Sequence, residues 1–284
     1  MIKELIILGS TGSIGKSTLD VVKKNKSNFK IKILSTNNNI KKILAQAKEF
    51  KVKNVVVGNR NKYLKLKNKF IKNKINVFFD FDEVLKQNKK KVFCTINAIS
   101  GIDGLEPTLK SIRYSKNIAL ANKESIICGW NFIKKELNKN NTNFIPLDSE
   151  HFSIWKLLKN ENHKNIKKIY LTASGGPFLN KKLSQIHNIK PKYALKHPNW
   201  KMGNKISIDS ATMMNKIFEV IEAMKIFNLK LDKFEILIHP KSYIHAIVDF
   251  KSGLTKFLAH ETTMQIPIIN SLYFKNENFI FNNK

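Results

Sequence analysis

The feature that most constrains the fold is a strand, glycine turn and helix in succession near the start of the chain. Residues 5–8 form a continuous apolar run, Leu-Ile-Ile-Leu, which is typical of a strand buried on both faces of a parallel sheet. Residues 9–15 then read Gly-Ser-Thr-Gly-Ser-Ile-Gly, and a helical pattern runs from 17 to 23. Glycines allow close approach of the backbone to a pyrophosphate, and a helix N-terminus supplies amide donors. The succession predicts a dinucleotide-binding unit, although the spacing Gly-x-x-Gly-x-x-Gly differs from the commoner Gly-x-Gly-x-x-Gly.

Further segments of the first half alternate between strand and helix patterns. Strands are predicted at 30–34, 54–57, 76–79, 92–96 and 118–121, and helices at 41–50, 62–71, 82–87 and 104–111. Such alternation favours a parallel sheet with helices on both faces. In the second half, short strands are predicted at 169–173, 236–238, 246–250 and 254–259, the last two as a pair. We therefore predict an α/β fold, with a Rossmann-type doubly wound parallel sheet followed by an α+β domain.

The end of the second predicted strand bears on the choice of cofactor. Residues 35–39 read Ser-Thr-Asn-Asn-Asn, without the Asp or Glu that usually accepts the ribose 2′-hydroxyl of NAD. A polar cluster fits a 2′-phosphate better, so the sequence favours NADP. Lys41 and Lys42 lie nearby, although they could equally be surface lysines of the next helix.

Two carboxylates, Asp148 and Glu150, follow an apolar run at 143–147 that is typical of a strand end. Side chains alternate between the faces of a strand, so we expect the two acids to point the same way. Like charges on one face repel unless a cation or proton lies between them, and carboxylate oxygens suit Mg²⁺ or Mn²⁺. Taken alone, the pair could also be a solvated turn.

A helix is predicted after residue 210, with Asp209 or Ser210 as its cap. One face would carry polar residues at helical spacing, namely Thr212, Asn215, Lys216 and Glu219. The opposite face, directed at the core, would carry Ile217, Val220, Ile221 and Met224. Two interpretations remain open for the polar face. Lys216 and Glu219 could form a surface ion pair, or Asn215 and Lys216 could bind a phosphate while Glu219 completes a metal site with the two earlier acids.

Three polar segments are candidate ligand loops. Ala-Asn-Lys-Glu-Ser at 121–125 follows a predicted strand, where open α/β sheets bind ligands, but it could be a solvated helix start. Ser-Gly-Gly at 174–176 could be an anion nest or a plain tight turn. The loop at 197–203, which contains His197 and Trp200, could be a lid that excludes water or a surface on which the indole packs.

Charge and cysteine content narrow the functional class. The 284 residues include 51 Lys and Arg against 21 Asp and Glu, a net charge of +30. The excess consists of scattered lysines, with little arginine, so we attribute it to coding bias and expect no nucleic-acid partner. Cys94 and Cys128 are isolated, which favours a reducing compartment. No apolar run reaches membrane-spanning length and no signal peptide is recognised, so we expect a cytoplasmic protein without a membrane partner.

Taken together, the motifs resemble those of the 1-deoxy-D-xylulose 5-phosphate reductoisomerase family, from residue 5 to about 250. The segments that carry the resemblance are GSTGSIG (9–15), ANKES (121–125), LDSEH (147–151), SGGPF (174–178), HPNWKMG (197–203) and KISIDSATMMNK (205–216) with Glu219. The resemblance implies reduction and isomerisation of 1-deoxy-D-xylulose 5-phosphate to 2-C-methyl-D-erythritol 4-phosphate, with NADPH and a divalent metal, in isoprenoid precursor synthesis. It also implies a homodimer.

The resemblance implies specific roles for the candidate residues. Mg²⁺ or Mn²⁺ would be held by Asp148, Glu150 and Glu219, which with Lys216 and His197 form the expected catalytic set. Substrate, mostly its phosphate, would be contacted by Ser149, Ser174, Ser210, Asn215 and Lys216, with His197 facing it and Trp200 and Met202 closing over it. Cofactor contacts would come from Thr11, Gly12, Ser13, Ile14, Asn37, Asn38, Asn39, Asn122, Lys123, Glu124 and Gly203.

The resemblance also implies a domain plan and shows departures from the family pattern. An NADP-binding domain is expected at 1–149, a catalytic domain at 150–274, and a polar tail at 275–284 where the family's linker to a C-terminal helical domain would begin. The alternative is a truncated relic that binds NADPH but needs a missing domain or second chain for catalysis. Asn37 and Asn38 replace a small and a basic residue of the family, so strict NADP preference is not carried over. Residues 262–265 read Thr-Thr-Met-Gln in place of Pro-Asp-Met-Arg.

Overall fold

The computed structural model describes residues 2–87, 90–187, 189–200, 202–274 and 279, without the side chains of residues 66, 67, 69 and 183. The chain divides into two compact units. The first contains residues 2–147 and the described residues from Ile268 onward, and the second contains Asp148–Pro267. The polar tail predicted at 275–284 lies outside the described residues, apart from residue 279.

The first unit is built on a parallel sheet, as the alternating pattern predicted. Its strands are β1 (Lys3–Leu8), β2 (Phe29–Thr36), β3 (Asn54–Val57), β4 (Asn76–Phe78), β5 (Val92–Asn97), β6 (Ser115–Leu120) and β7 (Asn143–Pro146). They lie in the order β4-β3-β2-β1-β5-β6-β7, and neighbouring strands are parallel. The strand order reverses direction at β1, so the loops after β1 and β5 flank the position where doubly wound sheets bind ligands.

Helices connect these strands and several begin at an asparagine. The helices are α1 (Ser13–Lys24), α2 (Ile40–Glu49), α3 (Arg60–Lys72), α4 (Phe81–Leu85), α5 (Leu105–Ile112) and α6 (Lys123–Lys139), with a 3-10 turn at Ile102–Gly104. The side chains of Asn39, Asn59 and Asn122 each accept a hydrogen bond from a backbone amide of the following helix. Asparagine is a favoured N-cap because its short side chain satisfies an amide that has no partner within the helix.

The glycine turn packs closely against its neighbours. Gly9 has φ +73°, and a Cβ there would lie 2.7 Å from the Ala98 carbonyl oxygen at the end of β5. A Cβ on Gly15 would lie 2.4 Å from the Gly9 carbonyl oxygen. Only glycine therefore allows the first turn of α1 to sit on the turn after β1. The preceding strand residues Leu5–Leu8 are fully buried, which confirms the prediction of a strand covered on both faces.

The second unit contains a smaller, mixed sheet. Its elements are α7 (Ser149–Leu157), β8 (Ile166–Ala173), α8 (Leu183–Ile186), α9 (Pro191–Ala194), α10 (Asn204–Ala211), α11 (Met214–Phe227), β9 (Phe234–Ile238), β10 (Ile244–Phe250) and β11 (Thr255–Ala259), with 3-10 turns at His163–Asn165 and Leu231–Lys233. The strand order is β11-β10-β8-β9. Strands β8 and β9 are parallel, and the other neighbours are antiparallel, so the predicted pairing of 246–250 with 254–259 is confirmed. Helix α12 (Gln265–Leu272) follows.

One face of this sheet carries the core of the second unit. Ile154 of α7 and Val220, Ala223 and Phe227 of α11 pack with buried residues of β8, β9 and β10. The predicted cap of α11 is wrong. Asp209 and Ser210 lie inside α10 and do not cap α11, because a separate helix ends at Ala211 and Met213 adopts φ +61° before α11 begins.

The expected core face of α11 was also assigned wrongly in part. Ile217 is 46% exposed, whereas Lys216 and Glu219 are buried. The helix therefore directs charged side chains inward next to Val220, and burial of charge requires partners. Among the described residues, no helix is both long enough and apolar enough to cross a bilayer.

Candidate metal and substrate site

Three acidic side chains that are distant in sequence converge in the second unit. Asp148 is the N-cap of α7, Glu150 lies in the first turn of that helix, and Glu219 lies in the second turn of α11. One carboxylate oxygen from each lies within 4.8 Å of the others. The acids therefore come together as expected, but the reason given from sequence is wrong. Asp148 and Glu150 lie at the start of a helix, beyond the end of β7 at Pro146, so strand alternation does not bring them together.

Lys216 links two of these acids. Its Nζ lies 2.6 Å from Glu150 Oε1 and 2.5 Å from Glu219 Oε2. The side chain is only 6% exposed, and that of Glu219 is 2% exposed. The surface ion pair considered from sequence is thus a buried pair. The two carboxylates hold the pKa of Lys216 above its usual value although burial opposes this, so the ammonium is charged.

The carboxyl group of Glu150 sits in a site that favours a cation. Burial, followed by the charge of Glu219, raises its pKa to about 7, and Lys216 only partly offsets this. Burial disfavours a charged carboxylate, and a like charge nearby disfavours it further. A bound divalent cation would act in the opposite direction and hold the group ionised.

A buried histidine, His151, and a fourth acid, the buried Glu222, adjoin the three carboxylates. His151 is fully buried, and its Nε2 donates a hydrogen bond to the backbone carbonyl of Glu219 at 2.8 Å. Its Nδ1 faces Glu222 Oε2 at 3.5 Å and Asp148 Oδ1 at 3.8 Å. Although burial opposes protonation, Glu222 and Asp148 raise the pKa of His151 to about 9. The imidazolium therefore connects the start of α7 to α11.

The donor set and charge of this cluster fit a divalent cation. Four carboxylates (Asp148, Glu150, Glu219 and Glu222) surround one ammonium and one imidazolium (Lys216 and His151). The formal excess is two negative charges, which a divalent cation would cancel. Carboxylate oxygens are the ligands that Mg²⁺ and Mn²⁺ prefer. Asp148, Glu150 and Glu219 could thus hold such an ion, with His151 and Glu222 behind them.

Ser174 and His197 form a second polar group in the same unit. His197 Nδ1 accepts hydrogen bonds from the backbone amides of Asn199 and Trp200 at 3.2 and 3.0 Å. Burial lowers the pKa of His197, so the ring is neutral and its proton lies on Nε2. That nitrogen lies 3.0 Å from Ser174 Oγ, which also accepts the amide of Gly176 at 3.1 Å. With both donors directed at its oxygen, the Ser174 hydroxyl can donate its own proton to a ligand oxygen.

The Ser-Gly-Gly turn lies against α10. Gly175 and Gly176 have φ +82° and +69°, and a Cβ on Gly176 would lie 2.7 Å from the Ser210 carbonyl oxygen. The backbone of this turn therefore approaches the end of α10, which carries Ser210, so closely that glycine is required at position 176. Asn215, in the first turn of α11, donates to Glu219 Oε1 at 2.5 Å. Ser174, Ser210, Asn215 and Lys216 thus lie on three segments of one unit, namely the turn after β8, α10 and α11.

The remaining predicted substrate residues have these positions. Ser149 is buried at the start of α7 and donates to Glu150 Oε2 at 2.6 Å. Trp200 packs edge-on against His245 with ring centroids 6.2 Å apart. Met202 is partly buried before α10, and Gly203 is the N-cap of that helix. Gly203, expected to contact the cofactor, therefore belongs to the second unit.

His245 and His260 form a stacked pair beside Trp200. Their ring centroids are 3.7 Å apart, and His245 Nε2 donates to the His260 carbonyl oxygen at 3.2 Å. Burial, with the neighbouring ring of His260, lowers the pKa of His245 to about 3. The pair is therefore neutral and acts as an aromatic support.

In the first unit, the predicted cofactor residues lie around the turn after β1. Gly12 is the N-cap of α1, and Ser13 and Ile14 open that helix. Thr11 Oγ1 lies 2.8 Å from Thr36 Oγ1 at the end of β2. This arrangement presents the first amides of α1 next to the ends of β1 and β2, as a dinucleotide phosphate requires.

The other predicted cofactor residues lie in two places. Asn37, Asn38 and Asn39 form the exposed loop after β2. Asn122 is buried and donates to the carbonyl oxygens of Ile99 and Gly101 while capping α6. It therefore ties the loop after β5 to α6, whose first turn contains Lys123 and Glu124.

Sequence reasoning assigned no role to several residues that the structure brings to the site. Glu222 follows Glu219 by three residues and His151 follows Asp148 by three, so helical spacing could have identified both. His245 and His260 come together through pairing of β10 with β11, and because they flank the two strands that were predicted to pair, that prediction could have identified the contact.

Comparison with known families and proteins gives a consistent result. The family model described as 1-deoxy-D-xylulose 5-phosphate reductoisomerase matches residues 5–129. The model of that enzyme's C-terminal domain matches residues 144–227. A reductoisomerase of this name from Pelagibacter ubique is 57% identical over 278 residues, which cover 97% of this chain and 71% of the relative.

Solved structures of the same enzyme are also similar. The Zymomonas mobilis protein in complex with NADPH gives a TM-score of 0.87 at 35% identity, over 97% of this chain and 71% of that one. A reductoisomerase in complex with NADPH, fosmidomycin and magnesium gives 0.90 at 34% identity, over 97% of this chain and 70% of the other.

Proposed function

The chain belongs to the 1-deoxy-D-xylulose 5-phosphate reductoisomerase family, and we infer that it converts 1-deoxy-D-xylulose 5-phosphate to 2-C-methyl-D-erythritol 4-phosphate with NADPH and a divalent metal. This is a step of isoprenoid precursor synthesis. The observation that carries the assignment is the convergence of Asp148, Glu150 and Glu219 within 4.8 Å. Neither the site nor the similar proteins favour the alternative of a relic that only binds NADPH.

The metal is proposed to bind Asp148, Glu150 and Glu219. The excess negative charge of the cluster and the raised pKa of Glu150 support this assignment. When bound, a divalent cation supplies Lewis-acid polarisation of substrate oxygens, and NADPH supplies hydride. Lys216 would balance charge in the metal-free site and be available to a substrate anion when the ion is present.

Substrate binding is proposed for the segments around Ser174. Ser174 can donate its hydroxyl proton, and the amides of the adjacent glycine turn are typical of an anion nest. Ser149, Ser210 and Asn215, together with Lys216, supply the other polar groups, and an ammonium with hydroxyl donors suits a phosphate. His197 would hold the Ser174 hydroxyl in this orientation through the bond at 3.0 Å.

Closure over the substrate is proposed for Trp200 and Met202. The indole packs on His245, which is itself stacked on His260. An apolar side chain on this support would exclude water, which strengthens the electrostatic interactions of a charged site.

Cofactor binding is proposed for the first unit, with the second unit as the catalytic domain. Thr11, Gly12, Ser13 and Ile14 would bind the pyrophosphate at the start of α1. The loop of Asn37, Asn38 and Asn39 would lie at the adenosine ribose. Lys123 and Glu124, with Asn122 as their anchor, would lie beside the dinucleotide. Gly203 is proposed to contact the cofactor only on the basis of the family resemblance.

A homodimer in the cytoplasm is also proposed. Cross-strand neighbours Phe257, Ile247 and Tyr170 form an apolar row on the second sheet, and Phe257 is 60% exposed. A second copy of the chain covering this row would remove it from water, and sedimentation equilibrium would measure the assembly. The two free cysteines, Cys94 and Cys128, are consistent with a reducing compartment.

The proposed activity is tested by mixing the protein with 1-deoxy-D-xylulose 5-phosphate, Mn²⁺ and NADPH and following absorbance of the reduced nicotinamide. We expect oxidation of NADPH that stops when EDTA is added. Asp148→Asn and Glu219→Gln should each lower turnover by at least about 100-fold, since each removes a proposed ligand charge.

Binding of NADPH by the same variants serves as the control, because their cofactor unit is unchanged. Turnover that persists in EDTA, or in both variants, would contradict the proposed metal site. Retained NADPH binding with no turnover of the wild-type chain would instead support the relic.

A further inference from the structure

We propose that Lys62, on α3, is the cation that recognises the 2′-phosphate of NADPH in this chain. This inference rests on the proposed cofactor site and adds to it a residue from the neighbouring strand-helix unit. In doubly wound sheets the adenosine ribose lies at the carboxyl end of the second strand, and a nearby cation accommodates the 2′-phosphate of NADP. The loop at that position here is residues 37–39.

The loop itself provides polar groups but no charge. It consists of three asparagines, so it has neither a carboxylate for a 2′-hydroxyl nor a cation for a 2′-phosphate. It is held next to the glycine turn, since Thr36 Oγ1 accepts the amide of Asn39 at 3.3 Å and lies 2.8 Å from Thr11 Oγ1. A phosphate bound here needs a positive charge from outside the loop.

The turn between β3 and α3 is bonded directly to this loop. The amide of Gly58 donates to the Thr36 carbonyl at 3.0 Å, and the amide of Asn59 donates to the Asn37 carbonyl at 3.3 Å. Asn59 Nδ2 donates to Asn38 Oδ1 at 3.0 Å. These bonds fix the start of α3 beside the loop, so a residue in the first turn of α3 can reach it.

Lys62, in the first turn of α3, reaches the loop of residues 37–39. Its Nζ donates to the Asn38 carbonyl oxygen at 2.9 Å, and its amide donates to the Asn59 side chain at the helix cap. An ammonium has three donors, so the bond to Asn38 leaves others for a ligand. Residues 58–62 contain no acid to neutralise Lys62, and the N-terminal end of α3 adds a favourable dipole.

The experiment measures equilibrium binding of NADPH and of NADH to the full chain by nicotinamide fluorescence, without metal or phosphosugar. Lys62→Ala should weaken NADPH binding roughly 10- to 100-fold, the range for loss of a charged hydrogen-bond partner. Binding of NADH, which lacks the 2′-phosphate, should change less than about twofold. Lys62→Arg should restore most of the preference, because a guanidinium also binds phosphate.

Lys72→Ala provides the matched control, since it removes the same charge from the other end of the same helix. It should leave both affinities unchanged. An equal loss for NADPH and NADH in Lys62→Ala would show a role in loop position only and would overturn the proposal, as would unchanged NADPH binding. A selective loss of NADPH binding in Lys41→Ala or Lys42→Ala, with none in Lys62→Ala, would move the role to α2.

This test separates the inference from the activity itself. Because no substrate is present, a chain that binds NADPH selectively through Lys62 but does not turn over substrate would refute the proposed function alone. A chain that turns over substrate with NADPH and NADH equally well, and binds both equally, would refute the inference alone.

Discussion

Replacing Lys216 by methionine tests whether the acids of the site are a metal site held together by an internal cation. The substitution keeps an apolar stem of similar length and removes the ammonium that lies 2.6 and 2.5 Å from Glu150 and Glu219. Both carboxylates are then left without that charge in a buried site. Removing one partner of a buried ion pair costs about 3–5 kcal/mol.

Proton uptake limits this cost. The pKa of Glu150 is about 7 with Lys216 present, and loss of the ammonium, which lowers it, raises it further. Each unit between pKa and pH is worth about 1.4 kcal/mol, so Glu150 can become neutral at pH 8 for less than about that cost. We therefore expect a loss near the lower end, about 3 kcal/mol of unfolding free energy, at pH 8 in EDTA. With Mn²⁺ the divalent charge replaces the ammonium, and the deficit should shrink to below about 1 kcal/mol. Because wild type is stabilised by Mn²⁺ as well, this compensation requires Lys216→Met to bind Mn²⁺ roughly 30-fold more tightly than wild type, a difference of about 2 kcal/mol.

Urea unfolding of wild type and Lys216→Met, followed by circular dichroism in EDTA and in Mn²⁺, measures both quantities. Lys256→Met is the matched control, because Lys256 pairs with Glu161 at 2.5 Å on the exposed surface of the same unit. It should cost less than about 1 kcal/mol and show no dependence on metal. The same deficit for Lys216→Met in EDTA and in Mn²⁺ would refute the idea that ammonium and metal neutralise the same carboxylates.

Three further outcomes are expected. Glu222→Gln should weaken Mn²⁺ binding about tenfold in a calorimetric titration, because it removes the charge that faces His151, the neighbour of the proposed ligand Asp148. Unchanged affinity would contradict this. The pKa of His245 is about 3 in the folded protein and about 6.5 in an unfolded chain. Between these pH values the unfolded chain binds the proton and the folded protein does not, so the free energy of unfolding should fall as pH drops, by up to about 1.4 kcal/mol per pH unit. His245→Gln should flatten this dependence in urea titrations at pH 7 and 5. Gly15→Ala should destabilise the first unit by about 1–3 kcal/mol, because the new Cβ would lie 2.4 Å from the Gly9 carbonyl oxygen. Gly203→Ala is the control, since no atom lies within 4 Å of a Cβ at that position, and its melting temperature should equal that of wild type.

The first sheet followed from local patterns. The apolar run at 5–8 and the glycine turn predicted β1 and the start of α1, and both are present. Alternation of strands and helices along the chain then predicted a parallel sheet. These features depend on the period of apolar residues and on turn chemistry, which are properties of neighbouring residues.

The acidic cluster was predicted only in part. The spacing of Asp148 and Glu150 indicated a possible metal pair, the polar face of a later predicted helix offered Glu219 as one of two interpretations, and the resemblance then implied all three. The strand-based reason was wrong because Asp148 ends the loop after β7 as the cap of a helix. The pairing of Lys216 with Glu219 was compatible with a surface ion pair, since a spacing of three residues specifies that two side chains meet and not how deeply they lie.

The alternating strands and helices of the first unit, the glycine turn and the family motifs can be read from the chain alone, because each is encoded by neighbouring residues. Which charges are buried and which distant groups meet depends on the tertiary structure. The packing of α7 against α11 places His151 between Glu222 and Asp148, and the bonding of the turn before α3 to the loop after β2 places Lys62 on Asn38. Burial and the distance between charges set the pKa of a group and its affinity for a cation, and both are fixed by contacts between segments that are remote in the chain.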